Sequence, residues 1–183
     1  MKLSRDKVID CWNFFERRYG TRHVNKRTWL MSLMAKKMGI RQLDDFFNSY
    51  SNILGDVIYI PFRLGSWDRS YHSQLVICAH EHQHKIQADR MGWLKFAWKY
   101  ATDTVFRTNM EIEGYTVGME VYHLLTRQIP DVPDVNWSDY MVKDRDAVFA
   151  RTNFRIIREM IKRGGITRQA SKDFREWMQT YED

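Results

Sequence analysis

Residues 80–84 read His-Glu-His-Gln-His, and this short stretch limits the architecture of the chain more than any other. A helix advances about 100° per residue, so His80 and His84 lie about 40° apart on one face, one turn from each other. Two imidazoles placed in this way can reach one tetrahedral zinc ion, with Glu81 flanking them to hold a water. The residues just ahead, Leu75-Val-Ile-Cys-Ala79, are apolar and mark a helix buried inside its domain. A buried helix bearing two histidines and a glutamate is costly unless something pairs them, and a metal ion does so. The alternative is a β-strand, whose alternation would put His80, His82 and His84 on one face. Helical pattern continues to Tyr100 with no turn signal before Gly92, which favours the helix. His82 then faces about 160° away from His84 and is expected at the surface or behind the ligands.

A catalytic zinc needs a third protein ligand and an open position. Asn109-Met-Glu111-Ile-Glu113-Gly-Tyr115 supplies one from a second helical stretch. Glu111 follows His84 by 27 residues, room for a turn at Gly92 and a returning antiparallel helix. Glu113, about 200° around that helix, is the alternative ligand.

With these residues in hand, the stretch 54–127 resembles the gluzincin class of zinc metallopeptidases, in particular small metallopeptidase-like proteins of bacteria and their phages. The resemblance rests on His80-Glu81-His82-Gln83-His84-Lys85-Ile86-Gln87, on Gly92-Trp93-Leu94-Lys95-Phe96, and on Glu111-Ile112-Glu113-Gly114-Tyr115. It implies Zn2+ as cofactor, His80, His84 and Glu111 as ligands, Glu81 as general base and a peptide or protein as substrate. Two positions depart from the family pattern. Gly114 replaces the usual Ala, and Tyr115 stands where many relatives carry an Asp that supports a ligand histidine. Tyr115, Tyr122, His123 and Arg107 are the nearby side chains that could stabilise an oxyanion or support a ligand.

The remaining pattern is mostly helical. Ser4 can cap a helix to Tyr19, with Val8, Cys11, Trp12 and Phe15 on one stripe and Gly20 as its C-terminal cap. Helices are expected from Thr28 to Met38, where Met31, Met34 and Met38 form a core stripe, and over 41–51. Val57-Ile-Tyr-Ile60 reads as a short strand, and Pro61 favours an edge position for it. Helix resumes near Ser70 and runs to Arg127 with one break at Gly92. Trp93, Phe96, Trp98 and Tyr100 are expected to bury the turn between the metal helices. Prolines make 129–134 a loop. Ser138 is expected to cap a long helix ending at Gly164-Gly165, and Thr167 or Ser171 to open the last one. The outcome is a mainly α (α+β) chain of a single domain, 1–183. A zincin-like helical core with one short β-element occupies 54–127, and helices over 1–50 and 138–183 flank it.

At 44% hydrophobic and 14% aromatic residues, the 183-residue chain can fill such a core, and disorder is excluded as its main state. Two cysteines, Cys11 and Cys78, are too few for a disulfide framework and are expected as buried thiols. No signal core and no run of about 18 apolar residues is present, so a soluble cytoplasmic protein with no membrane partner is expected. Residues 1–50 carry 11 Lys/Arg against 5 Asp/Glu. That bias supports a competing reading: a non-catalytic helical binding protein with a structural or decayed metal site, engaging nucleic acid or an acidic partner through its N-terminal helices.

Overall fold

In the computed structural model, residues 2–25, 51–140 and 142–181 are described. The expected helices between residues 28 and 50, with the Met31, Met34 and Met38 stripe, lie outside them. Helix α1 spans Arg5–Tyr19. The Ser4 side chain accepts from the Lys7 amide, and Gly20 closes the helix at φ 65°, its N–H bonded to the Glu16 carbonyl. The stripe Val8, Cys11, Trp12 and Phe15 is fully buried.

Three strands follow, β1 (Arg22–Asn25), β2 (Asn52–Leu54) and β3 (Val57–Ile60). Their order is β1-β3-β2, with β3 parallel to β1 and antiparallel to β2. The β3 strand is therefore central, which corrects the edge placement drawn from Pro61. That proline follows the last paired residue, Ile60, so its missing N–H removes no ladder bond.

Helices α2 (Tyr71–Met91), α3 (Trp93–Thr102) and α4 (Thr104–Thr126) form the centre. The chain breaks at Asp103 as well as at Gly92, because Asp103 leaves the helical region at φ −115° and its side chain caps α4 through the Phe106 amide. The short α3 thus carries the chain around so that α4 returns antiparallel to α2. Gln87 meets the Met110 carbonyl, His80 meets Gly114 and Val76 meets Gly118.

After the 127–136 loop comes a 3-10 turn, Trp137–Tyr140, then α5 (Asp144–Lys162) and α6 (Gln169–Gln179). Ser138 lies in that turn, and the N-cap position of α5 falls to Lys143 instead. The Val142 amide bonds back to the Trp137 carbonyl, and both side chains are buried, so the turn closes before a helix can begin. Neither Thr167 nor Ser171 opens α6. Thr167 gives its amide and hydroxyl to the Glu120 carboxylate, and Ser171 is buried within the helix.

One apolar cluster joins α1, β3, α2, the second half of α4 and α6. A second joins Ile112 and Met119 of α4 to Trp137, Val142 and α5. Helix α4 is common to both, and its contact with α2 carries the motif residues. Cys11 and Cys78 are free and buried, as expected. Among the described residues no helix is long and apolar enough to cross a membrane.

Candidate metal centre

Helix α2 begins at a fixed point. Ser70 caps it, and the buried Gln74 side chain donates to the Ser66 and Arg69 carbonyls while accepting from the Gly65 amide. Farther along, the eight residues Glu81–Ala88 are all buried, so the helix runs through the interior and each polar side chain needs a partner. Gln83 donates to Glu113 and accepts from the Ala170 amide. Gln87 donates to Glu113 and to the Met110 carbonyl. Lys85 pairs with Asp56 and Asp89.

The structure brings three of the expected ligands together. His80 Nε2 and His84 Nε2 are 3.1 Å apart. Glu111 Oε1 lies 3.4 Å from His84 Nε2, and Glu111 Oε2 lies 3.8 Å from His80 Nε2. One donor atom from each falls within 4.8 Å of the others. Donors at about 2.0–2.2 Å from a tetrahedral ion stand roughly 3.4 Å from one another, so the spacing suits such an ion. Gln87 Oε1 can only accept, so the proton of neutral His84 sits on Nδ1, 2.8 Å away, and the Nε2 lone pair faces the cluster. Glu111 Oε2 is buried with no hydrogen-bond partner. An orphaned carboxylate oxygen beside two imidazole nitrogens is the donor set of a divalent metal, and the residues fit one.

The electrostatics of the cluster favour a positive charge. Burial pushes His80 down to about 4, helped by His84. Burial presses on His84 in the same direction, but Glu111 and then Glu81 overcome it and lift His84 to about 9. Burial likewise works to raise Glu111, yet His84, His80 and the Tyr100 hydroxyl hold its carboxyl below the ordinary value. Glu81 is itself buried and acts electrostatically on both His84 and Tyr100, which puts its charge beside the cluster.

Other expected residues separate clearly. Glu113 belongs to a different network, bonded by Gln83, Gln87 and Arg168, and is not in the cluster. Tyr115 packs its ring edge-on to His80, centroids 5.3 Å apart, and its hydroxyl is 2.9 Å from that of Tyr140. Tyr122 and His123 instead bond Gln128 near the far end of α4. They stand roughly 16 Å along the helix from Glu111, too far to serve it. Arg107 reaches the cluster only through Tyr100, its guanidinium 5.8 Å from the ring centre, with a buried Nε that has no hydrogen-bond partner. His82 is fully buried, not at the surface. The α1 aromatics need a neighbour on that face of α2, and its ring fills the place.

Sequence reasoning missed two residues. Tyr100 donates to Glu111 Oε1 at 2.5 Å and so fixes that carboxylate. It repeats with Phe96 at i, i+4, a spacing that puts both on one inward face. Trp98 points the other way, 71% exposed, which corrects the expectation that it buries the turn. Tyr140 comes from the 3-10 turn, more than 25 residues beyond the motif, where no local pattern announces it. Gly114 also acquires a reason. A Cβ there would lie 2.7 Å from His80 Cε1, so an Ala would collide with the ring as it stands here. In comparisons with known proteins, no family model, curated protein or solved structure matches the chain.

Proposed function

We propose that the chain is a zinc-dependent hydrolase of peptide bonds, acting at the His80–His84–Glu111 cluster. The observation that carries this reading is the convergence of the three donors from two helices, with Glu111 Oε2 left unpartnered beside them. Glu81 supplies the second element, a carboxylate that a purely structural metal site would not require. The resemblance of residues 80–115 to gluzincins selects peptides among hydrolysable substrates.

A zinc ion held there supplies Lewis acidity toward a substrate carbonyl and acidifies water. Glu81 takes the proton of the attacking water and hands it to the leaving amine. Gln87 holds the Nδ1 proton of His84, which keeps Nε2 free to donate its lone pair. Tyr100 holds Oε1 of Glu111, which also faces His84, and leaves Oε2 toward His80. Tyr115 lies against His80, whose side chain keeps 15% of its surface exposed, the most of the three ligands. Substrate therefore approaches from the His80 side, where a tyrosine hydroxyl can donate to the developing oxyanion.

Two measurements test this. Metal analysis of the purified chain is expected to give one zinc per chain in the wild type and none in His84→Ala. Peptide hydrolysis is expected to fall by about 10²–10⁴-fold in Glu81→Gln with zinc retained. A wild type that binds no metal ends the proposal. Zinc bound with no hydrolysis in either protein ends the enzymatic part and leaves a structural site.

A further inference from the structure

Helix α3 has two unlike faces. Its inner face holds buried Phe96 and the Tyr100 hydroxyl that bonds Glu111. Its outer face presents Leu94, 78% exposed, and Trp98, 71% exposed, one turn apart and about 40° around the helix. Lys95 and Lys99 stand on the flank of that pair, and all of Arg90, Lys95 and Lys99 are exposed. From Arg90 to Thr102 the chain holds these three cations and no carboxylate. The nearest acids in sequence are engaged elsewhere, Asp89 with Lys85 and Asp103 with the Phe106 amide. Val105, just past the cap of α4, is also half exposed.

We infer that the outer face of α3 is a docking surface for an anionic lipid bilayer. A tryptophan and a leucine projecting from the helix lose water on entering the headgroup region, and flanking cations are attracted to acidic headgroups. A second copy of this chain is the poorer occupant. A two-fold contact through Leu94 and Trp98 would bring Lys95 and Lys99 toward their own copies with no carboxylate on the helix to offset them. Since no described helix is long enough to span, the contact is peripheral. The absence of a spanning apolar run argued against a membrane partner, but a peripheral contact needs no such run, and Trp98, expected to be buried, is exposed. The surface stands whether or not the metal cluster is catalytic, since lipid binding is read without turnover.

The test is co-sedimentation of the full chain with vesicles of phosphatidylcholine alone or mixed with phosphatidylserine. Binding to the mixed vesicles is expected, weakening as salt rises, with little binding to the neutral ones. Leu94→Ser/Trp98→Ser is expected to weaken binding by roughly tenfold or more. Arg90→Gln/Lys95→Gln is expected to erase the preference for phosphatidylserine. All four positions are exposed, and far-UV circular dichroism checks that each variant is folded. Absence of sedimentation with mixed vesicles overturns the inference, as does binding that survives Leu94→Ser/Trp98→Ser. A wild-type dimer that this double variant dissolves, without vesicle binding, assigns the face to self-association instead.

Discussion

His82 and His84 stand two residues apart on α2, both deeply buried, and their rings end in opposite circumstances. His82 sits among Trp12, Phe15 and Tyr19, with Nδ1 2.7 Å from the Cys78 carbonyl and Nε2 2.9 Å from the Thr21 hydroxyl. The carbonyl only accepts, so Nδ1 carries the proton and Nε2 takes the hydroxyl hydrogen. No lone pair is left over. His84 has its Nδ1 fixed by Gln87 in the same way, but its Nε2 faces another imidazole nitrogen and a carboxylate. Burial pushes His82 down to about 4, whereas on His84 it is overridden by Glu111 and Glu81. The difference teaches that depth does not distinguish a packing histidine from one placed to hold a metal. The partner of the second ring nitrogen does.

The largest effects should come from exchanging these two residues for alanine. His82→Ala opens a hole beside Trp12 and Phe15 and strands the Thr21 hydroxyl, and is expected to cost about 3 kcal/mol while zinc stays bound. His84→Ala is expected to lose zinc outright, and at equal metal depletion to cost less stability than His82→Ala. Urea unfolding of zinc-stripped proteins and metal content by plasma spectrometry separate the two. If His82→Ala loses the metal at unchanged stability, the comparison is inverted and the assignment of ligands with it.

An intermediate effect is expected one helix away. Gly114→Ala puts a Cβ 2.7 Å from His80 Cε1, so the ring must turn from its place beside His84. The gain of roughly 1 kcal/mol in helix propensity offsets part of the strain. Stability is therefore expected to change little while zinc affinity falls about 10–100-fold, as read by chelator competition. Gly118→Ala is the matched control. Its Cβ would meet Val76 Cγ1 at 3.3 Å, one turn beyond Gly114 and against none of the three donors, and zinc affinity should not move. Equal affinities in all three proteins would mean that His80 is free to shift and is not held for metal binding.

What the sequence made legible follows from how local the signal is. The α1 caps at Ser4 and Gly20, the α2–α4 pairing and the convergence of His80, His84 and Glu111 rest on spacings within one helix or on chemistry that two helices must satisfy together. His82 was misjudged because periodicity gives direction and not what lies in that direction. Here the aromatic stripe of α1 lies there. Pro61 misled for a related reason, since a proline one residue past a strand removes no ladder bond within it. The partners of the ligands were the least legible. Tyr100 depends on the unforeseen break at Asp103, and Tyr140 on a turn held by Trp137 and Val142.

The smallest expected effect lies at the edge of the same apolar cluster that encloses His82. Asp10 on α1 accepts from Trp177 Nε1 at 2.9 Å and from the Tyr181 hydroxyl at 2.6 Å. Burial works to raise its pKa, but these two bonds and Arg17 together hold it below the ordinary 3.8. A carboxyl depressed in the folded state adds stability that is complete above the unfolded value and fades as pH falls through the folded one. The group is largely solvated, so the contribution is expected to stay under about 1 kcal/mol. Asp10→Asn keeps an acceptor for both donors and removes only the charge. Its urea midpoint should fall slightly below wild type at pH 7, and the gap should close in acid well below pH 3.8. A gap of the same size at both pH values would show that shape, not ionisation, ties α6 to α1.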